Sequence, residues 1–148
     1  MNKIRITKHF DFETAHALYG YDGKCKNIHG HSYHLHVTVI GIPIDDDQHP
    51  KNGMVMDFGD LKKIVRAAVI DEFDHALVLN KKMPEMLVEK LKENFSTISM
   101  LDYQPTSELM VVDFAERIKK LLPNQVTLVH LLLRETVTSY AEWFAEEN

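Results

Sequence analysis

The sequence predicts an α+β fold, with an antiparallel four-stranded sheet in ββααββ order and helices on one face. Two observations predict it: alternating apolar residues at both ends of the 148-residue chain, and helical spacing through its middle. A third keeps the elements in one domain over residues 1–148, because there are no repeats, low-complexity tracts or Gly/Ser linkers.

Residues 3–16 alternate around Ile4, Ile6, Phe10 and Phe12 and read as the first strand. "HSYHLHVTVIGI" alternates again, with Leu35, Val37 and Val39 on one side, and "DDDQHPKNG" supplies turn residues after it. The pair makes a hairpin with residues 17–30 as the connection. The period changes in "MDFGDLKKIVRAAVIDEF", where Phe58, Leu61, Ile64, Val65, Ala68 and Val69 fall at helical spacing behind an Asp57 cap. Residues 84–95 form a further short helix that starts at a proline. "PTSELMVVDFAERIKKLLP" is a longer one, capped at Thr106, striped by Met110, Phe114, Ile118 and Leu121, and ended by Pro123. The β-branched and aromatic residues of "QVTLVHLLLRETVTSYAEWF" predict two strands with a turn near Thr136–Ser139.

Hydrophobic content of 45% and charged content of 26% are those of a soluble globular protein. No apolar run approaches the roughly 18–20 residues that span a bilayer, and the start lacks the features of a secretory signal. The single cysteine makes no internal disulfide, so a reducing compartment fits and the cytoplasm is the expected address. A net charge of −5 weighs against a nucleic-acid partner, and no membrane partner is expected. Lys24 and Lys26, on either side of Cys25, leave a small anionic ligand open.

"CKNIHGHSYHLHV" concentrates the lone thiol and four of nine histidines. Residues two apart on a strand share a face, so His29 and His31 can converge on one ion. Zinc takes neutral imidazole nitrogens, and a catalytic site adds a third protein ligand and keeps one position open. His16, ending the first strand, is the candidate third ligand. His34 and His36 share the same spacing, so spacing alone does not choose between the pairs. Gly30, which lets the backbone crowd the site, and the nearby Cys25 favour His29 and His31. The remaining histidines, His9, His34, His36, His49 and His130, read as surface or partly buried structural residues. Cys25 is open to two functional readings: fourth ligand of a closed structural site, or reactive thiol beside an open three-histidine zinc. In "EFDHALVLN", Asp74 precedes His75, and a carboxylate beside an imidazole can orient a base. Glu135 ends a predicted strand, where it either pairs with Arg134 in solvent or anchors a ring through two parallel N–H bonds.

Taken together, these segments resemble the 6-pyruvoyltetrahydropterin synthase and 6-carboxytetrahydropterin synthase family along nearly the whole chain. "FDFETAH" resembles its first-strand motif, "CKNIHGHSY" its C-x-x-x-H-G-H signature, and "GMVMDFGDLK" its strand-to-helix entry. "FDHALVLN" resembles its Asp-His motif, "PTSE" the start of its second helix, and "RET" its pterin-anchoring glutamate. The resemblance implies a tunnelling fold, in which subunits join their sheets into a barrel, and a homohexamer of two stacked trimers with sites between subunits. It implies zinc on His16, His29 and His31, Cys25 as general base tuned by Asp74 and His75, and Glu135 holding the pterin with help near Thr106 and Ser107.

The substrate class so implied is 7,8-dihydroneopterin triphosphate, reacting by an internal redox step and loss of triphosphate, with no nicotinamide cofactor. Three residues separate Cys25 from the HGH pair, a spacing that resembles the bacterial 6-carboxytetrahydropterin synthases of the queuosine pathway. Those enzymes also release acetaldehyde; the pyruvoyl enzymes are the alternative, and a zinc-stabilised binding domain is the alternative of another class. The chain departs from the pattern in a longer segment from Lys81 to Tyr103 and a stretched spacing from Asp-His to Leu-Asn.

Overall fold

The computed structural model describes residues 1–148. Its elements run β1 (Ile4–His16), β2 (His29–Gly41), α1 (Phe58–Val65), a π-helical stretch (Arg66–Ile70), α2 (Asp71–Phe73), β3 (Ala76–Asn80), α3 (Glu85–Asn94), β4 (Ile98–Leu101), α4 (Ser107–Leu121), β5 (Val126–Thr136) and β6 (Ser139–Phe144). Short 3₁₀ turns lie at Lys24–Lys26 and Ala145–Glu147.

The strands form one sheet in the order β4-β3-β1-β2-β5-β6. Its β1-β2-β5-β6 part is the expected antiparallel set. The sheet is nevertheless six-stranded and mixed, not four-stranded, because β3 joins β1 and β4 joins β3 in parallel. "ALVLN" is almost wholly buried, and a strand covered on both faces loses the alternation that marks a half-exposed one.

Alternation sets the two faces of the antiparallel part. Phe10 and Phe12 of β1, Tyr33, Leu35 and Val37 of β2, Leu131 and Leu133 of β5 and Trp143 of β6 point toward the helices. They join Leu61, Val65, Phe73, Met110, Phe114 and Ile118 in one continuous buried cluster. Each such side chain removed from water contributes about 1.5–3 kcal/mol before entropy is counted. Leu121, expected in the α4 stripe, is 49% exposed, since the stripe leaves the sheet at the last turn. The other sheet face carries polar groups, including stacked His9 and His36 and the His34–Asp11 pair.

Capping follows the sequence. The Asp57 side chain accepts from Gly59 N at 2.6 Å ahead of α1, and Thr106 accepts from Leu109 N at 3.4 Å ahead of α4. Within the first helical run, Asp71 N donates to Arg66 O, a bond spanning five residues where an α-helix spans four.

Candidate metal centre

The β1–β2 register creates the centre. His16 lies directly opposite His29, and Thr14 opposite His31, so all three imidazoles share the helix-facing side at one end of the hairpin. β2 begins at His29, two residues before the expected start, and those two residues carry the alignment. Ring centroids are 4.5 Å apart for His16–His29, 5.0 Å for His29–His31 and 5.2 Å for His16–His31. One nitrogen from each ring falls within 4.8 Å of the other two.

Hydrogen bonding fixes which nitrogens are available. His16 Nδ1 lies 2.7 Å from the Pro105 carbonyl, and His29 Nδ1 lies 2.7 Å from the Asn27 carbonyl. A carbonyl can only accept, so each Nδ1 carries the proton and each neutral ring keeps a lone pair on Nε2. Those two Nε2 atoms face each other at 3.0 Å. Two lone pairs at that distance repel unless a proton or a cation lies between them. Tetrahedral ligands bonded at 2.0–2.1 Å stand about 3.3 Å apart, close to this spacing.

Burial disfavours the proton. It pushes the His16 imidazole below its usual pKa against the opposing Pro105 bond, and pushes His31 below against the opposing charge of Glu135. His31 Nε2 is itself buried without a hydrogen bond. Glu135 Oε1 lies 3.1 Å from it but off the ring's N–H axis, so it acts as a charge and not as an acceptor. A set of neutral, converging nitrogens with their other sides held by carbonyls fits a divalent transition metal.

The other expected site residues divide into groups. Glu135 is on the helix-facing side of β5, where Ser107 Oγ donates to its Oε2. It does not pair with Arg134, which donates to the Val137 carbonyl at 3.3 Å. A hollow of about 440 Å³ opens beside Glu135 along His31, His34 and Arg134, and another of about 210 Å³ beside Ser107, Ser139 and Tyr140. Thr106 serves α4 as its cap. Cys25 sits half-buried in the Lys24–Lys26 turn, tied back through its carbonyl to Leu18 N at 2.9 Å. Its sulfur is not a member of the three-nitrogen cluster.

Asp74 and His75 lie between α2 and β3 and are held against β1 at Glu13. Asp74 Oδ1 accepts from Glu13 N at 3.0 Å and lies 3.0 Å from His75 Nδ1, while His75 N donates to Glu13 O at 2.6 Å. The His75 ring is 79% exposed, and its backbone takes a left-handed φ of 58°. No hydrogen bond joins this pair to Cys25 within one chain. Gly30 is not crowded either: an added Cβ would meet the Thr14 carbonyl at 3.4 Å, an ordinary contact.

Sequence reasoning missed Pro105, Asn27 and Tyr33. The first two act through carbonyls, which every residue has. Tyr33 follows His31 by two positions, and its ring lies 5.6 Å from that of His31. Its fully buried hydroxyl has no partner, and burial first, then the charges of Glu135 and Cys25, push its pKa well up.

Comparison with known proteins adds an independent line. The family model described as 6-pyruvoyl tetrahydropterin synthase matches residues 5–146. A 6-carboxy-5,6,7,8-tetrahydropterin synthase from Haemophilus influenzae is 34% identical, with 95% of this chain and 98% of that protein covered. Its namesake from Aquifex aeolicus is 32% identical, with 97% and 99% covered. Among solved structures, the 6-pyruvoyl tetrahydropterin synthase of Caenorhabditis elegans matches with a TM-score of 0.69 at 25% identity, covering 98% of this chain and 97% of that one. An uncharacterized protein from Wolinella succinogenes matches with a TM-score of 0.77 at 19% identity, covering 98% and 99%, a likeness of fold.

Proposed function

The chain belongs to the 6-pyruvoyl tetrahydropterin synthase family, and from that premise we propose that it is a zinc-dependent 6-carboxytetrahydropterin synthase. As a single domain over residues 1–148 with the family's tunnelling fold, it converts 7,8-dihydroneopterin triphosphate and water to 6-carboxy-5,6,7,8-tetrahydropterin, acetaldehyde and triphosphate. The observation that carries the reading is the convergence of His16, His29 and His31, with facing lone pairs 3.0 Å apart beside an unpartnered His31 nitrogen.

His16, His29 and His31 would hold the metal. Zinc, when bound, supplies Lewis acidity toward the substrate's side-chain oxygens. Glu135 accepts the ring's paired N–H groups, and Ser107 holds that carboxylate in place. Thr106 caps the helix that carries Ser107. Cys25, as thiolate, takes the proton from the side-chain carbon next to the ring C=N, and a proton is returned to the ring carbon. Oxidation of the side chain thus balances reduction of the ring. Triphosphate leaves by elimination, and water divides the resulting diketone between a ring carboxylate and acetaldehyde. Asp74 orients His75 as the partner of the base, a role for which its exposed ring is suited where subunits meet. The same reading places the enzyme as a homohexamer in the cytoplasm, serving queuosine synthesis; no helix is long and apolar enough to cross a membrane.

Incubating the zinc form with dihydroneopterin triphosphate and weighing the product tests the proposal. A carboxypterin supports it. A product that keeps a three-carbon side chain, two carbons longer than the carboxypterin, supports the pyruvoyl reading, which the likeness to the Caenorhabditis elegans enzyme favours. Cys25→Ala tests the thiol: retained zinc and melting temperature with lost turnover are expected of a base. Loss of zinc and fold would point to a structural fourth ligand instead.

A further inference from the structure

Glu135 stands where two recognition tasks meet. Its Oε2 accepts from Ser107, its Oε1 lies 3.1 Å from His31 Nε2, and it lines hollows on both sides. The segment that supports it also supports a second member of the histidine cluster. Pro105 receives His16 Nδ1 at 2.7 Å, and Ser107, two residues on, holds the carboxylate at the first turn of α4. Glu135 is the one carboxylate whose charge acts on both His16 and His31, opposing the effect of their burial. A negative potential there favours any positive charge held by those rings.

We propose that Glu135 serves the metal as well as the ring, as the outer-sphere charge that raises the affinity of His16, His29 and His31 for a divalent cation. The inference rests on reading Glu135 as the ring anchor and adds a second task to it. The two tasks are compatible because each carboxylate oxygen has two acceptor directions. Ser107 takes one, His31 Nε2 takes none as a hydrogen bond, and each oxygen keeps a direction for a ring N–H. Ring recognition and metal affinity then draw on one side chain, the ring on its reach and charge together and the metal on its charge.

The test uses the metal alone. Metal-free wild type, Glu135→Gln and Glu135→Asp are titrated with Zn²⁺ against a chromophoric chelator, and their melting temperatures verify the fold. Gln preserves shape and removes charge, so zinc affinity is expected to fall roughly tenfold or more, as for lost outer-shell partners. Co²⁺ absorption should keep the wild-type band pattern, since the three nitrogens remain. Asp preserves charge and shortens reach, so it should hold zinc much nearer to wild type while losing affinity for 2-aminopyrimidin-4-one, a probe for the ring's N–H pair. Equal zinc affinity in wild type and the Gln variant overturns the proposal, as does an Asp variant that falls as far as Gln. Should the Gln variant not fold, Ser107→Ala, which frees the carboxylate from its support, is expected to weaken zinc in the same direction, and unchanged affinity there overturns it. Failure of the functional reading is visible separately: wild type would then hold zinc yet bind no ring probe and turn over no pterin triphosphate.

Discussion

The two ends of α4 bury polar groups in opposite ways. Toward its C-terminal half, Arg117 donates to Asp113 at 2.9 Å and to Glu72, Tyr103 donates to Asp113 at 2.6 Å, and Ser99 donates to Glu72 at 2.7 Å. Burial pushes the Glu72 carboxyl up, but bonds from Arg117 and Ser99 outweigh it and hold the group below its usual pKa. The Arg117 guanidinium also lies 5.2 Å from the Phe73 ring centre. Near the N-terminal end, beside Pro105 and Ser107, lie the two buried side-chain atoms without a hydrogen bond, His31 Nε2 and Tyr33 Oη. A network closed on itself ties β4, α2 and α4 together and has no capacity left for a ligand. The open end keeps its capacity and loses the stability that satisfied groups would give.

The largest effect that could break this contrast comes from a ligand. His29→Ala is expected to reduce zinc affinity by more than the roughly 10–100-fold that an outer-shell partner is worth, measured by chelator competition. The metal-free protein should melt no lower than wild type, because the substitution relieves the Nε2–Nε2 repulsion. A destabilised metal-free variant would mean that the two nitrogens share a proton and that the open end is closed after all.

Arg117→Ala should do the reverse. Stripping Asp113 and Glu72 of a shared partner is expected to cost about 1–3 kcal/mol in chemical denaturation and to leave zinc affinity unchanged. Acidity comes next. His16 and His31 titrate lower in the folded chain than the ordinary 6.5, so the unfolded chain binds more protons as pH falls through that value. Stability of the metal-free protein is therefore fully present above 6.5 and declines below it, with the loss complete once the lowered folded values are passed. Melting temperatures across that range check the sign, and His16→Ala should flatten the curve. The smallest effect belongs to Tyr33→Phe, which removes an unpaired hydroxyl and should raise stability by up to about 1 kcal/mol.

Much of this was legible beforehand for a stated reason. Alternation disclosed β1, β2, β5 and β6 because each has one face on the core and one outward. The 3.6 period disclosed α1 and α4, and the HxH spacing disclosed two of the converging histidines. Alternation carries no register, however. That His16 pairs with His29 follows from where the hairpin closes, and the Cys25 carbonyl bond to Leu18 helps to set that closure. β3 and β4 were hidden by length and burial, and the Pro105 and Asn27 acceptors by being main chain. That Asp74 and His75 bond Glu13 of β1 and not Cys25 was hidden too, since motif order says nothing of which side chains meet.

The five-residue bond from Asp71 to Arg66 has one more implication. A helix with such a loosened turn contains one residue beyond what its span requires, like slack taken up in a single loop of rope. Removing exposed Ala67 should let Asp71 bond Arg66 in the ordinary α pattern, with Leu61 and Phe73 both keeping their seats. The same deletion within α4 would rotate every later side chain by about 100°. The first helical run thus tolerates a change in length that the second forbids.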